Sequence, residues 1–193
     1  RDFLLHQRII RNNDRARTYL AERFPNAHIE YVHHHLAHAY AVVPFLPDQK
    51  KRIIFTLDGA GDDLSGSINM FEHGTIERKH RIEVADSLGL LYSSITDILG
   101  MSRNEHEFKV MGLAPYAKKS AGEKVYQKLA ELIRFDAEKM TLVSKLPLDK
   151  TYGTYATAYF IANDYHHHRF DSLAYGIQKL TEKLITDMVR ASI

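Results

Sequence analysis

Arg52-Ile53-Ile54-Phe55-Thr56-Leu57 is a nearly continuous apolar run that empties into Asp58-Gly59-Ala60-Gly61-Asp62-Asp63. Such a run suits the middle of a sheet, where both faces are covered. β-Prone segments follow near 67–71 and 75–84, parted by His73-Gly74, whose glycine suits a tight turn. Three consecutive strands joined by short turns predict a β-meander.

Upstream of that strand stands Val32-His33-His34-His35-Leu36-Ala37-His38-Ala39. On a helix His34 and His38 are one turn apart and project from the same face. Two imidazoles so placed can share a metal ion, and Asp58 is the kind of carboxylate that completes such a set. Gly59 and Gly61 leave backbone N–H groups open to an anion such as phosphate. Metal ligands beside a phosphate cradle point to chemistry on a nucleotide or a phosphorylated intermediate. The plainer alternatives are two helix histidines with ordinary hydrogen bonds, and an Asp-Gly turn that binds nothing. A zinc-protease site is excluded, because H-E-x-x-H needs Glu where this chain has His35. His35 reads as a group that bonds phosphate or substrate, and His33 as a strand-end or solvent residue. Asp62 and Asp63 read as solvated.

Elsewhere the pattern is mainly helical. Residues 2–24 predict an amphipathic helix with Leu5, Ile9, Ile10, Tyr19, Leu20 and Phe24 as its apolar positions, stopped by Pro25-Asn26. Residues 28–32 read as a short strand and 36–43 as a helix ending before Pro44. Further helices are expected at 88–99, 109–113, 123–133 and 172–193, with a turn at Gly100. In the 109–113 helix Val110, Met111 and Leu113 read as core. Lys109 at its start opposes the helix dipole and so suggests a specific partner, phosphate or Glu107. Gly89, Gly100 and Gly112 are simplest as packing or turn residues. Residues 134–170 are weakly patterned and suggest a surface subdomain. Within them His166-His167-His168 reads as a polar loop, since three adjacent side chains diverge on any regular element. Strands followed by helices give a mixed α/β or α+β domain.

The chain has 193 residues, enough for one domain with a sizeable core. A net charge of +2 is too small to imply a nucleic-acid partner. With no cysteine, disulfides and thiolate metal sites are excluded, which fits a reducing compartment. No apolar run reaches the length of a membrane span. The chain opens on Arg1 and stops within an apparent helix at Ile193, so it reads as a fragment.

Four blocks now fall into order: His34-His35-Leu36-Ala37-His38-Ala39, Leu57-Asp58-Gly59-Ala60-Gly61-Asp62, Ser87-Leu88-Gly89-Leu90-Leu91-Tyr92-Ser93 and Glu107-Phe108-Lys109-Val110-Met111-Gly112-Leu113-Ala114-Pro115-Tyr116. Together they resemble successive motifs of the O-carbamoyltransferases of nodulation-factor and antibiotic biosynthesis. The C-terminal helix, with Gln178 in its first turns, is compatible. The resemblance implies an actin/hexokinase-like ATPase (ASKHA) fold, shared with the enzymes that place threonylcarbamoyl on tRNA adenosine. Residues 1–46 would end one lobe, and 52–193 would begin the next with a helical insertion. It implies a divalent metal held by His34, His38 and Asp58, with Fe(II) first and Zn or Mn as alternatives. A further aspartate ligand would lie beyond Ile193.

By the same likeness Gly59, Gly61, Lys109 and Gly112 would line the nucleotide, and His35 and Lys109 would serve catalysis. A YrdC-like domain of the parent chain would make carbamoyl-adenylate from carbamoyl phosphate and ATP. This domain would pass the carbamoyl group to a hydroxyl of a small-molecule or sugar acceptor, in the cytoplasm. His106 departs from the family, which usually carries Gly before Glu107. The first phosphate-binding hairpin would precede Arg1 and the glycine-rich adenosine motif would follow Ile193, so the isolated fragment is expected to be inactive. Three other readings stay open. They are threonylcarbamoyl transfer to tRNA, a two-His-one-carboxylate iron oxygenase and a non-catalytic nucleotide-binding module.

Overall fold

The structure, a computed structural model, describes residues 14–48, 50–146, 162, 164–165 and 167–193. Residues 14–23 are helical (α1). Then come α2 (His34–Ala41), β1 (Arg52–Gly61), β2 (Leu64–Glu72), β3 (Thr75–Glu83), α3 (Leu88–Ile98) and α4 (Glu107–Leu113). They are followed by α5 (Lys119–Ala130), β4 (Ile133–Asp136), β5 (Thr141–Ser144) and α6 (Phe170–Ala191). The fold is mixed α/β, with helices around two small antiparallel sheets: β1-β2-β3 and the β4-β5 hairpin.

The meander forms as its sequence predicts, with turns of the tightest kind. Gly61 pairs with Leu64 across a loop of Asp62 and Asp63, whose φ angles are 49° and 67°. Glu72 pairs with Thr75 across His73 and Gly74, at φ 50° and 79°. Two residues at positive φ give the turn whose twist matches that of the flanking strands, and Asp tolerates this region better than most residues.

β1 runs further than its apolar stretch. The register passes from Leu57↔Gly66 to Gly61↔Leu64, so Asp58, Gly59 and Ala60 bulge opposite Ser65 alone. Bulges re-aim side chains and increase local twist. Here the bulge carries Asp58.

Alternate residues of β1 serve different cores, as the two-residue period of a strand requires. Ile54 joins Ala39, Phe71 and Ile76 under α2, with Leu36 and Val43 packed against them. Phe55 packs on the larger cluster, where Ile82, Leu91, Ile95 and Val125 meet Leu173 and Ile177 of α6. The meander therefore lies between α2 on one face and the helical body on the other.

Several boundaries differ from expectation. Residues 28–32 form no strand: Tyr31 and Val32 are 47% and 59% exposed, and the Tyr31 ring instead packs 4.5 Å from the Arg17 guanidinium. β-Propensity is realised only where a partner edge exists. α2 begins at His34 rather than 36, and α5 begins at Lys119 rather than 123. Ile133 opens β4, and the weakly patterned region contains the β4-β5 hairpin. Residues 2–13 of the expected first helix, including Leu5, Ile9 and Ile10, lie outside the described residues, as do 147–161 and His166. Among the described residues no helix is long and apolar enough to cross a membrane.

Candidate metal centre

The α2 helix is pinned to the meander at its first two residues. The backbone N–H of His34 donates to Asp62 Oδ2 at 2.7 Å, so a turn residue supplies the acceptor that the helix start lacks. Asp62 is thus not the solvated side chain its sequence context suggests. His33 provides no side-chain cap, and its Nδ1 is buried without a partner.

His35 is fully buried, with both ring nitrogens engaged: Nδ1 lies 2.9 Å from Thr56 Oγ1 and Nε2 lies 3.0 Å from the Leu64 carbonyl. Burial lowers its pKa, against the raising effect of the Leu64 carbonyl, so the ring is held neutral. This corrects the expectation that His35 meets phosphate or substrate. A side chain with no exposed surface and no spare nitrogen supports the helix instead.

With α2 held this way, His34 and His38 face the bulge of β1. His34 Nε2 lies 2.7 Å from Asp58 Oδ2 and 3.0 Å from His38 Nε2, and His38 Nε2 lies 3.4 Å from the same carboxylate oxygen. Among the described residues this is the one group of three His, Asp or Glu side chains whose donor atoms converge. All three are partly exposed. The Asp58 carboxyl sits below its ordinary pKa: burial alone would raise it, but hydrogen bonds from His34, the Gly59 amide and His38 outweigh that penalty. The Gly59 N–H donates to Asp58 Oδ1 at 2.6 Å and leaves Oδ2 to the histidines.

Protons alone cannot pair all three edges of this triangle: with both rings donating to Asp58 Oδ2, their two Nε2–H groups face each other at 3.0 Å. Each Nε2 carries at most one hydrogen and the ionised carboxylate carries none. If His34 donates to Asp58, its Nε2 has no lone pair left for a proton from His38. If His38 donates to His34, the His34 lone pair faces the carboxylate. A shared cation accepts from all three. At metal–ligand distances of about 2.1 Å, ligands of one ion lie roughly 3.0–3.4 Å apart. The donors fit a divalent ion in kind, two of their separations fall in that range, and the 2.7 Å His34–Asp58 edge would have to widen slightly.

Glycines make room for this arrangement. A Cβ at Gly61 would overlap the His34 ring, while one at Gly59 would make only an ordinary contact with Leu90, at 3.6 Å. Gly89 lets α3 approach the bulge: a Cβ there would lie 2.8 Å from the Asp58 carbonyl oxygen. Ser87, the N-cap of α3, donates to the Gly59 carbonyl at 2.7 Å and accepts from the Leu90 N–H at 3.0 Å. The helix start thereby braces the strand segment that presents Asp58.

Lys109 and Gly112 lie elsewhere, on α4, which packs on α3 and α6. Both are exposed, and Lys109 Nζ sits 5.8 Å from the centre of the Phe108 ring. The suggested Lys109–Glu107 pair does not form. The Glu107 carboxylate accepts instead from Ser93 Oγ at 2.6 Å and from the Asn104 N–H at 2.8 Å. Val110 is buried as expected, Leu113 is half-buried, and Met111 is 53% exposed. His167 and His168 occupy a bend ahead of α6, in keeping with a polar loop. Sequence reasoning passed over Thr56, Ser67 and Asn69, all buried. Their signal was small polar residues at alternate positions of β2 (Ser65, Ser67 and Asn69) and a single one, Thr56, in the apolar run of β1.

The chain matches a family described as carbamoyltransferase N-terminus over residues 4–193. It is 33% identical over 105 residues to nodulation protein NolNO of Sinorhizobium fredii, a match covering 54% of this chain and 15% of that protein. It is 30% identical over 102 residues to nodulation protein NolO of Bradyrhizobium diazoefficiens, covering 53% and 18%. A Methanocaldococcus jannaschii protein of uncharacterised function is 36% identical over 86 residues, covering 45% and 16%. The chain spans about a sixth of the length of the curated relatives it matches.

Proposed function

Since this chain belongs to the carbamoyltransferase family, matching its N-terminal region over residues 4–193, we propose that it forms part of an enzyme that moves a carbamoyl group from carbamoyl-adenylate to a hydroxyl. The acceptor is a small molecule or a sugar. The adenylate comes from carbamoyl phosphate and ATP on a YrdC-like domain of the same parent chain. In this reading residues 1–46 close one lobe and 52–193 open the next of an actin/hexokinase-like fold. The observation that supports it is the meeting of His34, His38 and Asp58 donors within 3.4 Å of one another, from two separate motifs.

Carbamoyl-adenylate is a mixed anhydride whose carbonyl is dulled by its own nitrogen. A divalent cation held by His34, His38 and Asp58, Fe(II) first and Zn or Mn otherwise, would supply Lewis-acid polarisation of that carbonyl. The residues' own tasks are distinct. His34 and His38 present ring nitrogen donors from one face of α2. Asp58, its pKa held down by its hydrogen bonds, offers one anionic oxygen at neutral pH. Backbone N–H groups of the bulge would meet phosphate charge, and since the Gly59 N–H already donates to Asp58 Oδ1 that task falls to the amides after it, up to Gly61. Lys109 and Gly112, on an exposed face, line the nucleotide from another side. The acceptor hydroxyl oxygen bonds to the carbamoyl carbon and gives up its proton to solvent, the carbon–oxygen bond to the phosphate breaks, and AMP leaves with the bonding electrons.

The test uses the intact protein with labelled carbamoyl phosphate, ATP and a panel of hydroxyl acceptors. Metal content is measured in parallel by elemental analysis. Replacing His34 and His38 together by Ala is expected to remove bound metal and lower transfer by about 100-fold or more. Unchanged metal content and rate would set the assignment aside. Label transferred only to tRNA would redirect the reading to nucleic acid.

A further inference from the structure

Between the two proposed ligand histidines stands a third that the chemistry above does not use. Its hydrogen bonds run through the sheet in one direction. His35 Nε2–H donates to the Leu64 carbonyl at 3.0 Å, so Nδ1 is left as an acceptor, and the Thr56 hydroxyl donates to it at 2.9 Å. Thr56 in turn accepts from the Ser67 hydroxyl at 2.7 Å. Ser67 accepts from Asn69 Nδ2 at 2.8 Å, and the other Asn69 amide hydrogen goes to the Ile54 carbonyl at 3.1 Å. All four side chains are buried, with exposures of 0% for His35, 6% for Thr56, 0% for Ser67 and 1% for Asn69. Thr56 and Ser67 are register partners, as are Ile54 and Asn69, so the chain crosses the β1–β2 seam and ends on the helix.

This wiring lies one rung from the candidate cation site. Thr56 and Asp58 are two residues apart on β1, and their partners His35 and His34 are adjacent on α2. Helix and strand meet in two neighbouring rungs, Thr56–His35 at 2.9 Å and Asp58–His34 at 2.7 Å. The first is buried and involves none of the proposed ligands. A rotation of α2 by about 10° moves atoms ~6 Å from its axis by about 1 Å, the looseness at which a binding constellation fails. Other polar contacts also hold α2, the His34 N–H to Asp62 at 2.7 Å and the Ile76 N–H to the Tyr40 hydroxyl at 3.4 Å; the Thr56–His35 contact differs from them in being buried.

We propose that the chain His35–Thr56–Ser67–Asn69 fixes the rotation of α2, and so sets the spacing of His34, His38 and Asp58. His35 and Thr56 are then positioning residues for the cation. The inference rests on the metal reading above, and the experiment separates the two. Co2+ is titrated into the intact protein and followed by its visible absorption, with circular dichroism and thermal melting alongside. Thr56→Val keeps the shape and removes the donor to His35; it is expected to weaken Co2+ binding by about 10-fold and to change the absorption band. Thr56→Ser, which restores the hydroxyl, is expected to return both close to wild type. A merely structural role would lower the melting temperature of Thr56→Val and leave its Co2+ affinity and spectrum unmoved. That result overturns the proposal. If Thr56→Val does not fold, Ser67→Ala decides by the same criterion, since it breaks the chain one link further from the helix. Failure of the wild-type protein to bind Co2+ overturns the metal reading itself, and this inference with it, before any variant is compared.

Discussion

Gly61 lies where the edge of the His34 imidazole passes, and nothing larger fits without moving that ring. Gly61→Ala is therefore expected to displace His34 from Asp58 and to weaken metal binding at least tenfold, read by Co2+ titration; unchanged affinity would show that the ring tolerates the methyl. Gly89 is constrained by backbone rather than by a ring, since its Cβ would press on the Asp58 carbonyl group. Gly89→Ala is expected to cost about 1–3 kcal/mol in denaturant melts, as overpacking commonly does, because neither partner can rotate away. At this scale the sequence was legible where spacing carries direction. His34 and His38 at i,i+4 share a helix face, and an apolar strand delivers Asp58 to its end. It was silent where meaning depends on a partner far along the chain. Nothing local distinguishes the buried, doubly bonded His35 from its neighbours, or the capping Asp62 from a solvated turn residue.

The elements around the site are joined at their ends. α2 receives its first acceptor from the β1–β2 turn, through Asp62, and α3 is capped by its own Ser87, which also grips the Gly59 carbonyl. Removing either cap is expected to cost about 1 kcal/mol of stability. The two losses should differ in consequence. Asp62→Ala frees the start of the helix bearing His34 and should weaken metal binding, whereas Ser87→Ala loosens the bulge from behind. Equal melting losses with no change in metal affinity for Asp62→Ala would contradict this division. The meander and α6 were readable because their periods persist over many residues. The β4-β5 hairpin was not, because strands of four residues carry too few alternations to stand out. Residues 28–32 have strand composition without an edge to pair with, and composition alone cannot report that.

In the whole molecule the meander is a partition, with α2 and the candidate metal centre on one face and the large core on the other. α6 ties that core together: Ile177 is fully buried, and Ile177→Ala is expected to cost about 2–5 kcal/mol in denaturant unfolding. Tyr92 links α3 to α6 by donating to Gln178 Oε1 at 3.0 Å. Burial first, then Glu107 and Glu182, pushes its pKa up to about 12. Tyr165 is likewise pushed up to about 12 by burial, Asp164 and Glu131. In the unfolded chain both titrate near 10, so above that pH the unfolded state releases protons that the folded state keeps. Stability should fall as pH rises from about 10 to about 12, and Tyr92→Phe should flatten that fall in pH-dependent melts. An unchanged slope would contradict it. The most direct measurement is diffraction from crystals of the intact protein grown with Co2+, recorded at the cobalt edge. One anomalous peak is expected at about 2.0–2.2 Å from His34 Nε2, His38 Nε2 and an Asp58 carboxylate oxygen. Cobalt absent from that position, with the three side chains still in contact, would contradict it.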